Sequence, residues 1–85
     1  QTFNSSTIPD FKISCVRVMA ESGPVVGKTI EEVDVRKNFG VNVLAVSRKG
    51  EMIKTVFPNI KLLRNDLVFV SGDQEHIDSF YKAVT

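Results

Sequence analysis

Apolar residues in this chain fall in short blocks separated by polar or glycine-containing turns, and their period changes from block to block. In Phe11 to Ala20, Phe11, Ile13 and Cys15 share one face of an extended segment, while Val16, Val18 and Ala20 share the other. This reads as a strand that either bulges near Cys15 to Arg17 or is partly covered on both faces. Glu21-Ser22-Gly23-Pro24 is a turn, and Val25 and Val26 lead into a helix opened by Thr29. Thr29 with Glu32 three residues on forms a capping box, and Gly40 is the stop that a left-handed residue supplies. Within that helix Ile30 and Val33 lie on one side and Val35 and Phe39 almost opposite. A regular helix cannot bury both stripes in one small core. Either it breaks near Asp34, or its second face is covered by another subunit.

Val41 to Val46 is apolar on both faces, the pattern of a central strand buried on two sides, with Asn42 as its polar exception. Arg48-Lys49-Gly50-Glu51 is a hairpin turn, and Met52 to Phe57 is the returning strand, ended by Pro58. Leu62 and Leu63 are expected to close the core beneath a loop. Arg64-Asn65-Asp66 is a tight turn before a short buried strand, Leu67 to Val70. Asp73 caps a final helix in which Ile77, Phe80, Tyr81 and Val84 make one apolar stripe. The order is strand-helix-strand-strand-strand-helix. That is an α+β fold, a small mostly antiparallel sheet with two helices packed on it.

Eighty-five residues, 42% hydrophobic and 25% charged, allow one small folded domain. Residues 1–10, polar and holding Pro9, read as a linker or lead-in, and residues 11–85 as the domain. A chain opening at Gln1 without an initiator Met reads as a module cut from something longer. The net charge of +1 argues against a nucleic-acid partner, since such binding draws on a strong basic footprint. No apolar run is long enough to span a bilayer. The single cysteine, Cys15, fits a reducing compartment and reads as a small core hydrophobe.

Catalytic chemistry has little to stand on. The one histidine, His76, falls in the first turn of the final helix and reads as solvated. Gly23 to Thr29 looks like a phosphate loop but is one residue short between its glycines, and Pro24 removes an amide the loop needs. Glu31, Glu32 and Asp34 point in different directions on a helix, so no metal site is expected. Arg17, Lys37, Arg48, Lys49 and Lys54 read as solvated surface. Arg36 and Asn42 flank the Gly40 turn, where a guanidinium fork and an amide can converge on a ligand. The simpler alternative pairs Arg36 with Glu32 and Asn42 with backbone.

Several of these segments fit a known pattern when taken in order. Ser22, Gly27, Lys28 and Ile30 form a first block, and Asp34, Val35, Arg36, Gly40, Val41, Asn42 and Val43 a second. Val46-Ser47-Arg48-Lys49-Gly50 follows, and then Asp66, Leu67, Val70 and Gly72, with Asn65 where glycine is usual. In this order and spacing, Val16 to Val84 resembles the C-terminal lobe of the RCK (TrkA-C) regulatory domains of potassium channels and transporters. The resemblance implies a cytosolic, non-catalytic sensor lobe that requires no cofactor. It would act as a homodimer or larger ring with a membrane potassium channel or transporter subunit at the cytosolic face. A nucleotide-binding RCK N-lobe would precede it or sit in a separate subunit.

One branch of that family binds cyclic di-AMP at the dimer interface, and a different nucleotide is an equally open ligand. The matching ligand-binding positions are Ile30, Asp34, Val35, Arg36, Asn42, Val43 and Pro58, and Glu31 falls where that branch places an apolar residue. A two-fold interface would also bury Val35 and Phe39. The alternative is a ligand-free assembly module of the same kind of transporter complex.

Overall fold

The computed structural model describes residues 11–85, so the expected lead-in, residues 1–10, lies outside the described residues. Four strands, β1 (Lys12–Arg17), β2 (Asn42–Arg48), β3 (Glu51–Ile53) and β4 (Leu67–Gly72), form one sheet in the order β1-β4-β2-β3, with every pairing antiparallel. Two one-turn helices, α1 (Ile30–Val33) and α2 (Val35–Phe39), precede β2, and α3 (Gln74–Val84) closes the chain. The expected α+β order is therefore present, with the first helix divided in two.

Local chemistry explains most of the boundaries. Thr29 and Glu32 exchange both capping-box bonds, Glu32 N to Thr29 Oγ1 at 3.0 Å and Thr29 N to Glu32 Oε1 at 2.9 Å. The bond from the Thr29 amide, and after it the Thr29 hydroxyl, lowers the Glu32 carboxyl pKa from its ordinary value. Asp34 takes a left-handed conformation (φ 52°, ψ 62°) and breaks the helix; its N–H donates to the Ile30 and Glu31 carbonyls. Asn38 Nδ2 then donates to the Val33 carbonyl at 2.7 Å, satisfying an oxygen that the break leaves without a helical partner. Gly40 (φ 69°) ends α2 under α3, where a Cβ would meet the His76 ring at 2.6 Å. Lys49 and Gly50 both have positive φ, the backbone of a two-residue turn that matches strand twist.

The break at Asp34 decides where the apolar side chains go. Rotating α2 away from α1 lets Val33 and Val35 enter the same core, with Val35 only 2% exposed. Phe39 is half-buried and meets Phe80 edge-on, the ring centroids 5.9 Å apart. Val35 is thus accommodated within a single chain, whereas Phe39 keeps part of its surface exposed.

The core joins Val16, Val68, Val70 and Val46 from one sheet face to Ile77, Phe80 and Val84 of α3, and Leu62 closes it as expected. Several expectations are corrected. Leu63 and Tyr81 are exposed rather than core. The returning strand stops at Ile53, leaving Lys54 to Phe57 outside the sheet. The bulge lies not in β1, whose register with β4 is unbroken, but in β2 between Val43 and Ala45. It resets the alternation, so Val43 and Val46 pair with the core residues Val70 and Val68, while Leu44 is exposed. The strand β2 is central in order but not buried on two sides. Among the described residues no helix covers the opposite sheet face, which is why Ile13 is 66% exposed and Cys15 is exposed rather than a core residue.

Candidate functional site

A groove of about 490 Å³ runs between the α1–α2 break, the start of β2 and the segment after β3. Ile30, Glu31 and Asp34 come from α1 and the break, Val35 and Arg36 from α2, Val41, Asn42 and Val43 from β2 and its approach, and Val56 and Pro58 from the loop. All seven positions expected for a ligand (Ile30, Asp34, Val35, Arg36, Asn42, Val43 and Pro58) line this one groove.

The backbone sets this arrangement. The Glu31 N–H donates to the Pro58 carbonyl at 2.9 Å and the Ile30 N–H to the Ile60 carbonyl at 3.0 Å. Leu62 N donates to the Lys28 carbonyl and Gly27 N to the Leu62 carbonyl, so residues 58–62 strap the start of α1. Asp34 points its backbone break at the groove, and the bulge just after Val43 turns the first part of β2 toward it.

The polar lining is Glu31, Asp34, Arg36 and Asn42, all exposed side chains on a mostly apolar floor of Ile30, Val35, Val41 and Val43. The simpler pairing of Arg36 with Glu32 is not formed: Glu32 is engaged by the Thr29 amide, and no salt bridge among the described residues includes Arg36. Nor does any side-chain hydrogen bond among them engage Asn42, so donors and an acceptor face the groove uncommitted. Flat apolar surface with a guanidinium and an amide at its margin suits a ring system bearing an anionic group.

Sequence reasoning missed one pair outright. Arg48, read as solvated surface, donates from Nε to Asp66 Oδ1 at 2.9 Å and from Nη2 to Asp66 Oδ2 at 2.8 Å. Nη2 also reaches the Lys61 carbonyl, and Asp66 Oδ2 accepts from Leu63 N at 2.8 Å. The bond to Asp66 raises the Arg48 pKa above its ordinary value. This clamp fixes the far end of the 58–62 strap. His76 is half exposed and pairs with Asp73 at 2.8 Å. Among the described residues no group of three His, Cys, Asp or Glu side chains could hold a metal ion, and no helix is long and apolar enough to cross a membrane.

The family model described as the TrkA-C domain matches residues 16–85. The chain belongs to the TrkA-C domain family. This TrkA-C domain is 30% identical over 71 residues to Ktr system potassium uptake protein C of Bacillus subtilis (strain 168), covering 84% of the chain and 32% of that protein. It is 32% identical over 75 residues to sodium/sulfate cotransporter 1 of Chlamydomonas reinhardtii, covering 88% of the chain and 8% of that protein. The chain therefore spans only a minor part of either relative's length.

Among solved structures, the RCK_C domain dimer of S. agalactiae BusR in complex with c-di-AMP superposes with a TM-score of 0.78 at 21% identity, covering 88% of this chain and 91% of that one. The RCK C domain of the potassium transport protein KtrA, in complex with cyclic diadenosine monophosphate, superposes with a TM-score of 0.73 at 26% identity, covering 86% and 82%. The fold expected from the sequence is thus the fold of these domains.

One expectation is overturned. BusR in complex with its busA-promotor DNA shares this fold, with a TM-score of 0.79 at 22% identity over 98% of this chain and 41% of that one. A second BusR–DNA structure matches over 85% of this chain. Excluding nucleic acid as a partner on charge was therefore unsound. The net charge of +1 counts these 85 residues and does not speak for a longer protein that carries the same domain.

Proposed function

We propose that this TrkA-C domain is a cytosolic, non-catalytic sensor that pairs with a second copy over the groove, binds a nucleotide there, and reports occupancy to a membrane transport system. The observation that carries the reading is the convergence of the seven expected positions on one groove whose Arg36 and Asn42 side chains are uncommitted among the described residues. Cyclic di-AMP is the first ligand to test, because the KtrA domain was solved in complex with it. Potassium is the favoured ion, on the likeness to KtrA and to potassium uptake protein C, although the cotransporter relative carries sodium and sulfate in its name.

In this reading the guanidinium of Arg36 takes a phosphate and Asn42 reads a base or ribose edge, while Ile30, Val43 and Pro58 supply apolar contact. A ligand spanning two copies stabilises the paired arrangement by its differential affinity for it, and that shift is the signal. Calorimetry and solution mass with and without cyclic di-AMP and other nucleotides test it. Saturable binding that is lost in Arg36→Ala, with unchanged melting of the unliganded domain, supports the reading. Absence of binding by any nucleotide at millimolar concentration, with a mass that never changes, leaves the ligand-free assembly module in its place.

A further inference from the structure

The groove's charge does not match its geometry. Its lining holds two carboxylates, Glu31 and Asp34, against one guanidinium, Arg36. Pairing two copies would double that excess at the shared site. Glu32, next in sequence, is held away by the capping box, whereas Glu31 has no side-chain partner among the described residues and is exposed on the groove wall. Its backbone N–H is fixed to the Pro58 carbonyl at 2.9 Å, so the strap keeps the Glu31 main chain on the wall with its carboxylate within reach of the groove.

The geometry points to Glu31 as the residue that sets ligand selectivity in this groove, disfavouring doubly charged cyclic dinucleotides relative to neutral nucleosides or singly charged nucleotides. The inference rests on the nucleotide reading above and deepens it. A carboxylate held near a phosphate repels it, and in a partly hydrated groove one such charge changes affinity about tenfold, which corresponds to about 1.4 kcal/mol. Asp34 supplies the groove's other carboxylate, but its left-handed backbone also makes the helix break, so Glu31 is the position where charge can be changed without touching the fold. Glu31 has no structural role beyond a favourable position in the first turn of a one-turn helix. Rejection of the wrong ligand by placed like charge is a general route to specificity.

The test titrates cyclic di-AMP and adenosine into the wild-type domain, Glu31→Gln and Glu31→Ile, with thermal melts to confirm folding. Glu31→Gln is expected to bind cyclic di-AMP about tenfold tighter than wild type, with adenosine affinity unchanged. The gap is expected to close at about 1 M salt, where the Debye length is about 3 Å. A wild-type domain that fails to bind while Glu31→Gln binds is the strongest support. If wild type binds cyclic di-AMP and Glu31→Gln binds it no tighter, the selectivity role is overturned and the nucleotide site stands. A gain shared equally by adenosine, or one untouched by salt, overturns it as well, since charge would not be the cause. If neither wild type nor variants bind any nucleotide, both the selectivity role and the nucleotide site fall.

Discussion

Replacing Arg48 by methionine strips Asp66 of its guanidinium while leaving the carboxylate where it is. Asp66 is 1% exposed, and its carboxylate accepts three bonds, two from Arg48 and one from the Leu63 amide. Removing one partner of a buried ion pair costs roughly 3–5 kcal/mol, because the remaining charge is stranded. The Arg48 side chain is 29% exposed, so water can enter once the guanidinium is gone and recover part of that loss. We therefore expect a cost of about 2–3 kcal/mol. For a domain of this size, with roughly 4–13 kcal/mol of total stability, that is a large share and lowers the melting midpoint by roughly 10–20 °C.

Urea unfolding followed by far-ultraviolet circular dichroism reads the change directly, since the chain contains no tryptophan. The double replacement Arg48→Met with Asp66→Asn removes the stranded charge and keeps an oxygen for the Leu63 amide, so it is expected to lose about 1 kcal/mol less than the sum of the single changes. A single Arg48→Met change within about 0.5 kcal/mol of wild type would refute the clamp, since that is the range of ordinary surface substitutions.

Gly40→Ala combines a left-handed backbone with a Cβ only 2.6 Å from the His76 ring, so it is expected to cost about 1–3 kcal/mol in chemical denaturation even if the ring turns aside. The lowered Glu32 pKa favours the native state only while that carboxyl is ionised. Its contribution is complete above the ordinary value of 4.5 and is lost as pH falls through the lower folded value. In acid titrations of stability, wild type should therefore fall more steeply than Glu32→Gln between 4.5 and the lower folded value; parallel curves would contradict the capping-box account. In amide hydrogen exchange, residues 31–39 should exchange ahead of those in the central strand β4, and equal protection would contradict the fold's division of stability.

What the sequence made legible was local. Thr29 with Glu32, Gly40, Lys49-Gly50 and Asp73 each announce a boundary through bonds or dihedrals within a few residues, and each lies where expected. The misplaced elements depend on partners far along the chain. Arg48 and Asp66 are 18 residues apart, and nothing in either neighbourhood marks them as a pair. Cys15 reads as a core hydrophobe because no metal-ligand partner lies near it in the sequence, yet which face α3 covers is a property of the whole sheet. The apolar excess on Val35 and Phe39 allowed two solutions, and the left-handed Asp34 selects the one that a single chain can satisfy. Of the groove residues, Arg36 and Asn42 were legible from their places around Gly40, and the rest only through the ordered resemblance, since nothing local joins Pro58 to them.

The broken helix has a further consequence. Segments of one turn do not hold a helical shape unaided, because nucleation in water is unfavourable and needs many more residues to be repaid. The wall of the groove is therefore borrowed structure, kept in form by the 58–62 strap and the sheet behind it. Whatever settles between that wall and β2 meets the least self-sufficient part of the molecule, and by tightening it can alter how firmly the whole edge is ordered without displacing any strand.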